Sequence, residues 1–90
     1  MNYGYVYFIT AKVRHHIFFK KEYVGAGTSP KEALNAVLAK IPQGMEKKAI
    51  FTEYLHPADG NGWVKFNRSR LHKHRTLNYI DIVEQSKKWD

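Results

Sequence analysis

The alternation of apolar and polar positions predicts a hairpin at the start of the chain. The opening YGYVYFITAKV is rich in aromatic and β-branched residues, which favour a strand. Its period of two puts the odd-numbered side chains from Tyr3 to Ile9 on one face and Val6 and Phe8 on the other. HIFFKKEYV predicts a second strand, and the polar residues from Lys12 to His16 predict the bend between the two.

The segment GTSPKEALNAVLAKIPQG carries signals for both ends of a helix. Ser29 is the expected N-cap, Pro30 falls at the first helical position, and Glu32 follows three residues after Ser29 as in a capping box. Pro42 and Gly44 are expected to end the helix. One buried face is predicted by the spacing of Leu34, Val37, Leu38 and Ile41.

The second half of the chain predicts further strands. KKAIFTEYLH predicts a strand, PADGNG a turn and WVKFN the returning strand. The basic residues that follow, as far as Arg75, are expected to be a loop, extended or a single helical turn. TLNYIDIVE fits a strand or a short helix, and its β-branched residues favour the strand. The predicted fold class is therefore α+β: an antiparallel sheet of four or five strands with one covering helix, in the order ββαβββ, the last element a strand or a short helix. Such a sheet leaves its other face open to water or a partner.

Size and composition indicate one soluble domain over residues 1–90. An apolar fraction of 43% and an aromatic fraction of 14% are sufficient for one packed core in 90 residues. The sequence contains no cysteine, which excludes disulfides and thiolate metal ligands. MNYGYVYFIT lacks the basic start and cleavage site of a secretory signal, and no apolar run approaches the ~18 to 20 residues that span a bilayer. We therefore expect a cytoplasmic protein without a membrane partner.

The net charge of +7 is distributed unevenly. Residues 1–21 hold four basic residues and residues 60–80 hold five, and neither segment contains an acidic residue. Two acid-free blocks indicate a surface for a polyanion, whereas scattered charge would only promote solubility. The expected phosphate contacts are Lys12, Arg14, Lys20, Lys21, Lys65, Arg68, Arg70, Lys73 and Arg75. The expected stacking side chains for unpaired bases are Tyr3, Tyr5, Tyr7, Trp63 and Phe66.

These residue types have structural alternatives. A basic loop can simply be hydrated, and the strand tyrosines can lie under the helix with their hydroxyls at the edge of the core. His72 and His74 could chelate a metal from one side of a strand, but no standard zinc spacing is present and the neighbouring cations would repel a dication. We therefore predict neither a metal site nor a cofactor.

GYVYFIT followed by EYVGAGTSPKEAL resembles the opening of the GIY-YIG nucleases, in which two strands carrying those tripeptides precede a helix. Over residues 1–40 the resemblance places Tyr5 and Tyr23 on the family's motif tyrosines and Gly25 on its glycine, and it implies a nuclease. The chain departs from the family in three respects. The gap between the tripeptides is long, PKEALNAVLAK lacks the arginine of the family's first helix, and no later glutamate can be assigned as the metal ligand. No catalytic role is carried over.

The sequence thus favours a small non-enzymatic module that binds nucleic acid, DNA or RNA, through its charge. The alternative is a protein-binding inhibitor or adaptor, of the kind found in phage and mobile elements, that docks on an acidic surface or a ribonucleoprotein. A homodimer through an edge strand is compatible with both functions. Both functions require folding to bring the two basic blocks onto a common side.

Overall fold

The computed structural model describes residues 7–55 and 72–89. Their elements, in chain order, are β1 (Tyr7–His16), β2 (Phe19–Gly27), α1 (Pro30–Lys40), a 3₁₀ helix (Met45–Lys48), β3 (Ile50–Leu55), β4 (His72–Asn78) and α2 (Tyr79–Ser86). The turn predicted at PADGNG and the strand predicted at WVKFN lie outside the described residues. In the part of the chain that is described, no helix has the length and apolar character needed to span a bilayer.

The four strands form one antiparallel sheet in the order β2-β1-β3-β4, so β1 and β3 are central. The register places Ile9, Gly25 and Glu53 in one row and Phe8, Ala26 and Tyr54 in the neighbouring row on the opposite face. This arrangement, with a helix packed on the sheet, confirms the predicted α+β class.

The core lies between the sheet and the helices on a single face. It is built from Ile9, Ala11, Val13, Ala33, Leu34, Val37, Ile41, Ala49, Phe51 and Ile82. Because α1 and α2 both contribute to this cluster, both cover the same face, and we call it the helix face. The opposite face is not open throughout, since Phe8 and Thr10 of the central strand are buried there.

The predicted helix is confirmed as α1, together with its N-cap. The Ser29 side chain accepts a hydrogen bond from the backbone N–H of Glu32 at 3.2 Å. The Glu32 carboxylate accepts a hydrogen bond from the Thr28 hydroxyl at 2.9 Å, which ties the incoming chain to the first turn. At the other end, Lys40 Nζ donates to the carbonyl of Val24 at 2.6 Å and thereby occupies an acceptor of the edge strand β2.

The backbone of α1 lies directly on β2 because the strand carries glycine where the two meet. A Cβ added at Gly25 would lie 2.3 Å from the amide nitrogen of Val37 and 2.4 Å from the carbonyl oxygen of Ala33. One added at Gly27 would lie 2.6 Å from Cβ of Glu32. These glycines belong to β2 and are required for close helix–strand approach.

The bend predicted from Lys12 to His16 is wrong. β1 continues to His16, and the chain turns at Ile17 and Phe18. The physical reason is that Ala11 and Val13 are buried in the core and continue the alternation that starts at Ile9. Lys12 and Arg14, which alternate with them, are therefore outward positions of one long strand.

The strand favoured for TLNYIDIVE ends at Asn78, and the alternative of a short helix is realised from Tyr79 onward as α2. The Asn78 side chain accepts a hydrogen bond from the backbone N–H of Asp81 at 2.8 Å and caps the helix. Ile82 is buried in the core, so tertiary packing of one apolar side chain stabilises an eight-residue helix that propensity alone would not.

Candidate nucleic-acid interface

A two-stranded arm projects past the rest of the sheet. β3 pairs with β1 only as far as Lys12, whereas the pairing of β1 with β2 continues to His16 and Phe19. We call residues 13–21 the arm. At ~3.3 Å per residue, the four residues from Lys12 to His16 carry the turn about 13 Å beyond the pairing with β3.

Three cations lie on one face of this arm and at its base. Lys12, Arg14 and Lys20 point away from the helices, and Arg14 pairs directly opposite Lys20. Among the described residues, none of the three has an ion-pair partner. Glu22, directly opposite Lys12, is the single acidic residue on this face of the described strands. Like charges that face each other across two strands destabilise a hairpin. The presence of Arg14 opposite Lys20 is therefore not explained by a contribution to the stability of the arm.

The tip of the arm is apolar and exposed. The exposed fractions of Ile17, Phe18 and Phe19 are 71%, 91% and 54%. Two-residue hairpin turns normally use glycine, asparagine or aspartate because the favoured turn types need positive φ, and no described non-glycine residue has positive φ. The turn at Ile17 and Phe18 therefore gains nothing from its apolar side chains, and it exposes them to water.

Aromatic rings line the helix-face side of the arm behind the tip. The His15 ring lies 5.9 Å from that of Phe19 and 6.2 Å from that of Tyr23, measured between centroids. His15 Nε2 is 3.1 Å from the Tyr23 hydroxyl, and Lys21 Nζ lies 5.2 Å from the centre of the Tyr23 ring. The arm therefore has an aromatic side with one cation and a basic side.

The described part of the second basic block divides between the two faces of the sheet. Lys73 pairs with Tyr54 and lies on the same face as Lys12. The two residues are separated by four residues along the strands and by two strand spacings across the sheet, which is about 16 Å between their backbones. Arg75 pairs with Glu53 on the helix face, where Nε lies 2.8 Å from Oε2. Those expected contacts and stacking residues that lie outside the described part are Tyr3, Tyr5, Trp63, Lys65, Phe66, Arg68 and Arg70.

Glu53 is a buried acid with 5% of its surface exposed. Burial raises the pKa of its carboxyl group above the ordinary value, while the charges of Arg75 and His74 oppose that shift. Within the described residues Oε2 makes no hydrogen bond, so its contact with Arg75 is ionic. This pairing offsets the charge of Arg75, which is less available to a phosphate than Lys12, Arg14, Lys20 or Lys73.

Tyr7, the one expected stacking residue within the described range, is partly buried. It packs against the core on the helix face, in the same row as Gly27. This is the placement in which a strand tyrosine lies under a helix at the edge of the core.

Sequence reasoning missed the apolar tip and the buried acid. HHIFFKK lacks the residues that usually form turns, and this concealed the turn at Ile17 and Phe18. For Glu53 a signal was present: in IFTEYL the acid stands two residues after Phe51, so strand alternation places both on the core side.

Comparison of the chain with protein-family models, with curated proteins and with solved structures found no match in any of the three. Within residues 7–55 and 72–89 no three histidine, aspartate or glutamate side chains are grouped so that they could hold a metal ion. The function is therefore inferred from the geometry and charge of the chain itself.

Proposed function

We propose that this protein is a small non-enzymatic module of the cytoplasm that binds nucleic acid by contacting phosphates through a basic face. The observation that carries the proposal is the pair Arg14 and Lys20, which face each other on the projecting arm without an ion-pair partner among the described residues. A polyanion that binds between them would remove their mutual repulsion. Lys12 and Lys73 extend the same face along the sheet.

The decisive measurement is the salt dependence of binding. Five to seven neutralised phosphates would give a slope of log affinity against log salt of roughly −4 to −6, using about −0.9 per phosphate for duplex and −0.7 for single strands. Labelled duplex and single-stranded oligonucleotides should be titrated between about 50 and 200 mM salt. Absence of binding at the lowest salt would end the proposal.

The contact surface is tested by removing two of its charges. Arg14→Gln with Lys20→Gln should weaken binding for all sequences alike and reduce the magnitude of the slope by about 1.8 on duplex. The matched control is Lys31→Gln with Lys47→Gln, which changes net charge equally at exposed positions on α1 and the 3₁₀ helix. Equal effects of the two double variants would show that net charge, and not the basic face, governs binding.

A second candidate function is docking on an acidic protein or ribonucleoprotein, and the apolar tip of the arm favours it, since aromatic side chains often anchor protein interfaces. Affinity capture with and without nuclease separates the two functions. Recovery of a discrete protein partner after nuclease treatment, together with no binding to purified oligonucleotide, would replace the first proposal with the second. Metal-dependent nicking of a plasmid would contradict both, because neither includes a reaction.

A further inference from the structure

The proposed function assigns the cations of the arm to phosphates and leaves the tip unexplained. On the basis of that function, we propose that the arm enters a groove of duplex DNA and that Phe18, with Ile17, contacts the base pairs while the cations of both strands bind phosphates. Phe18 would then supply a part of the binding free energy that salt does not screen.

The tip combines two local features that the fold does not require. An apolar two-residue turn exposes Phe18 almost completely, and a like-charge pair stands a few residues behind it. Natural sequences tend to depart from local structural rules at functional sites. In the major groove, phenylalanine is among the apolar side chains that contact the thymine methyl group, so Phe18 is suited to a base edge.

The distribution of charge favours a groove over a membrane surface. The cations continue from Lys20, which pairs with Arg14 near the tip, to Lys12, which lies about 7 Å further back along the ribbon and about 13 Å from the turn. At an anionic bilayer only the cations nearest the tip would reach the headgroups, because attraction decays within a Debye length of about 8 to 10 Å. In a groove, the whole length of the ribbon is flanked by phosphates.

The shape of the arm favours DNA over RNA. A ribbon of two strands fits the major groove of B-form DNA, which is about 12 Å wide, whereas the major groove of an RNA duplex is too narrow for side chains to enter. Lys21 on the aromatic side and Arg14 and Lys20 on the basic side place cations on both faces of the ribbon. These two faces match the phosphates on the two walls of a groove.

The test compares Phe18→Ala, Phe18→Trp and the double variant Arg14→Gln with Lys20→Gln on a labelled 20-base-pair DNA duplex. Phe18→Ala should weaken binding by roughly 10- to 150-fold, the range for burying one phenylalanine side chain, and should leave the salt slope unchanged. Phe18→Trp should restore most of the affinity. Ile80→Ala is the matched control, since Ile80 is an apolar side chain that is 72% exposed on α2. A thermal melt of each variant checks that the variant is folded.

The outcomes separate this inference from the proposed function. If the charge variant flattens the slope and Phe18→Ala binds as tightly as the unmodified protein, the tip does not touch the bases and the proposed function stands. If nothing binds at low salt, both fail. The inference is also overturned if duplex RNA or single strands bind more tightly than duplex DNA. The same holds if Phe18→Ala weakens binding only to phosphatidylserine vesicles, or captures less of a protein partner while its DNA affinity is unchanged.

Discussion

Replacement of Gly25 by alanine should change the free energy of unfolding in opposite directions according to whether local propensity or tertiary packing dominates. Gly25 lies inside β2 and has no positive φ, so alanine is compatible with its backbone. Reduced freedom of the unfolded chain should then stabilise the variant by about 0.4 to 1 kcal/mol. The structure predicts the opposite, because the new Cβ would lie 2.3 Å from the Val37 nitrogen and 2.4 Å from the Ala33 oxygen.

The size of the stability loss depends on which atoms the new Cβ would contact. Both are backbone atoms of α1, so no side chain can rotate aside, and the helix must move by about 1 Å to reach ordinary contact distance. That movement would loosen the packing of Val37 and lengthen the hydrogen bond from Lys40 to the carbonyl of Val24. Overpacking typically costs 1 to 3 kcal/mol, and we expect a loss of about 3 kcal/mol here. At roughly 4 to 8 °C per kcal/mol, Tm should fall by about 12 to 24 °C.

Thermal and urea unfolding followed by circular dichroism measure this change. Gly27→Ala is the comparison variant, because its Cβ would meet Cβ of Glu32 at 2.6 Å near the N-terminus of α1, and it should be destabilised as well. A Gly25→Ala protein at least as stable as the unmodified chain would refute the close contact of α1 with β2, and with it the placement of the helix.

Three further predictions concern single residues. Arg14→Glu should place an acid opposite Lys20, raise the free energy of unfolding by at most roughly 1 kcal/mol and weaken nucleic-acid binding. If urea unfolding and oligonucleotide titration show that stability and affinity both fall, the arrangement of the arm is contradicted. Since the folded-state pKa of Glu53 is raised, its contribution to the free energy of unfolding should be largest below the ordinary pKa and fall as pH rises through the raised value. Urea unfolding from about pH 4 to 7 should therefore show that the free energy of unfolding of the unmodified protein, relative to that of Glu53→Gln, decreases as pH rises. A difference that stays constant or grows with pH would count against this. Gly44 has φ of 89° with no atom within 4 Å of an added Cβ, so Gly44→Ala should cost about 1 kcal/mol through backbone strain alone, with Gly44→Asn costing less; equal Tm values for all three proteins would contradict it.

Local sequence determined the elements whose signals lie within a few residues of one another. α1 could be predicted because Ser29, Pro30 and Glu32 specify its start and the helical spacing of Leu34 and Val37 specifies its buried face. The opposite faces of Ile9 and Phe8 could be predicted for the same reason, since alternation is a property of each strand taken alone. The uneven placement of charge along the chain also needed no structure.

Tertiary structure alone decided which of these charges act together. The register between β3 and β4 pairs Arg75 with the buried Glu53 and leaves Lys73 on the other face, and register depends on pairing between residues far apart in the chain. The position of the first turn was likewise decided by the burial of Val13, which carries β1 past the residues that look locally like a bend. A hydrophobic period of two or 3.6 residues specifies which face of a strand or helix can be buried. Where that strand or helix ends, and which elements pack beside it, are set by the tertiary contacts that bury the face.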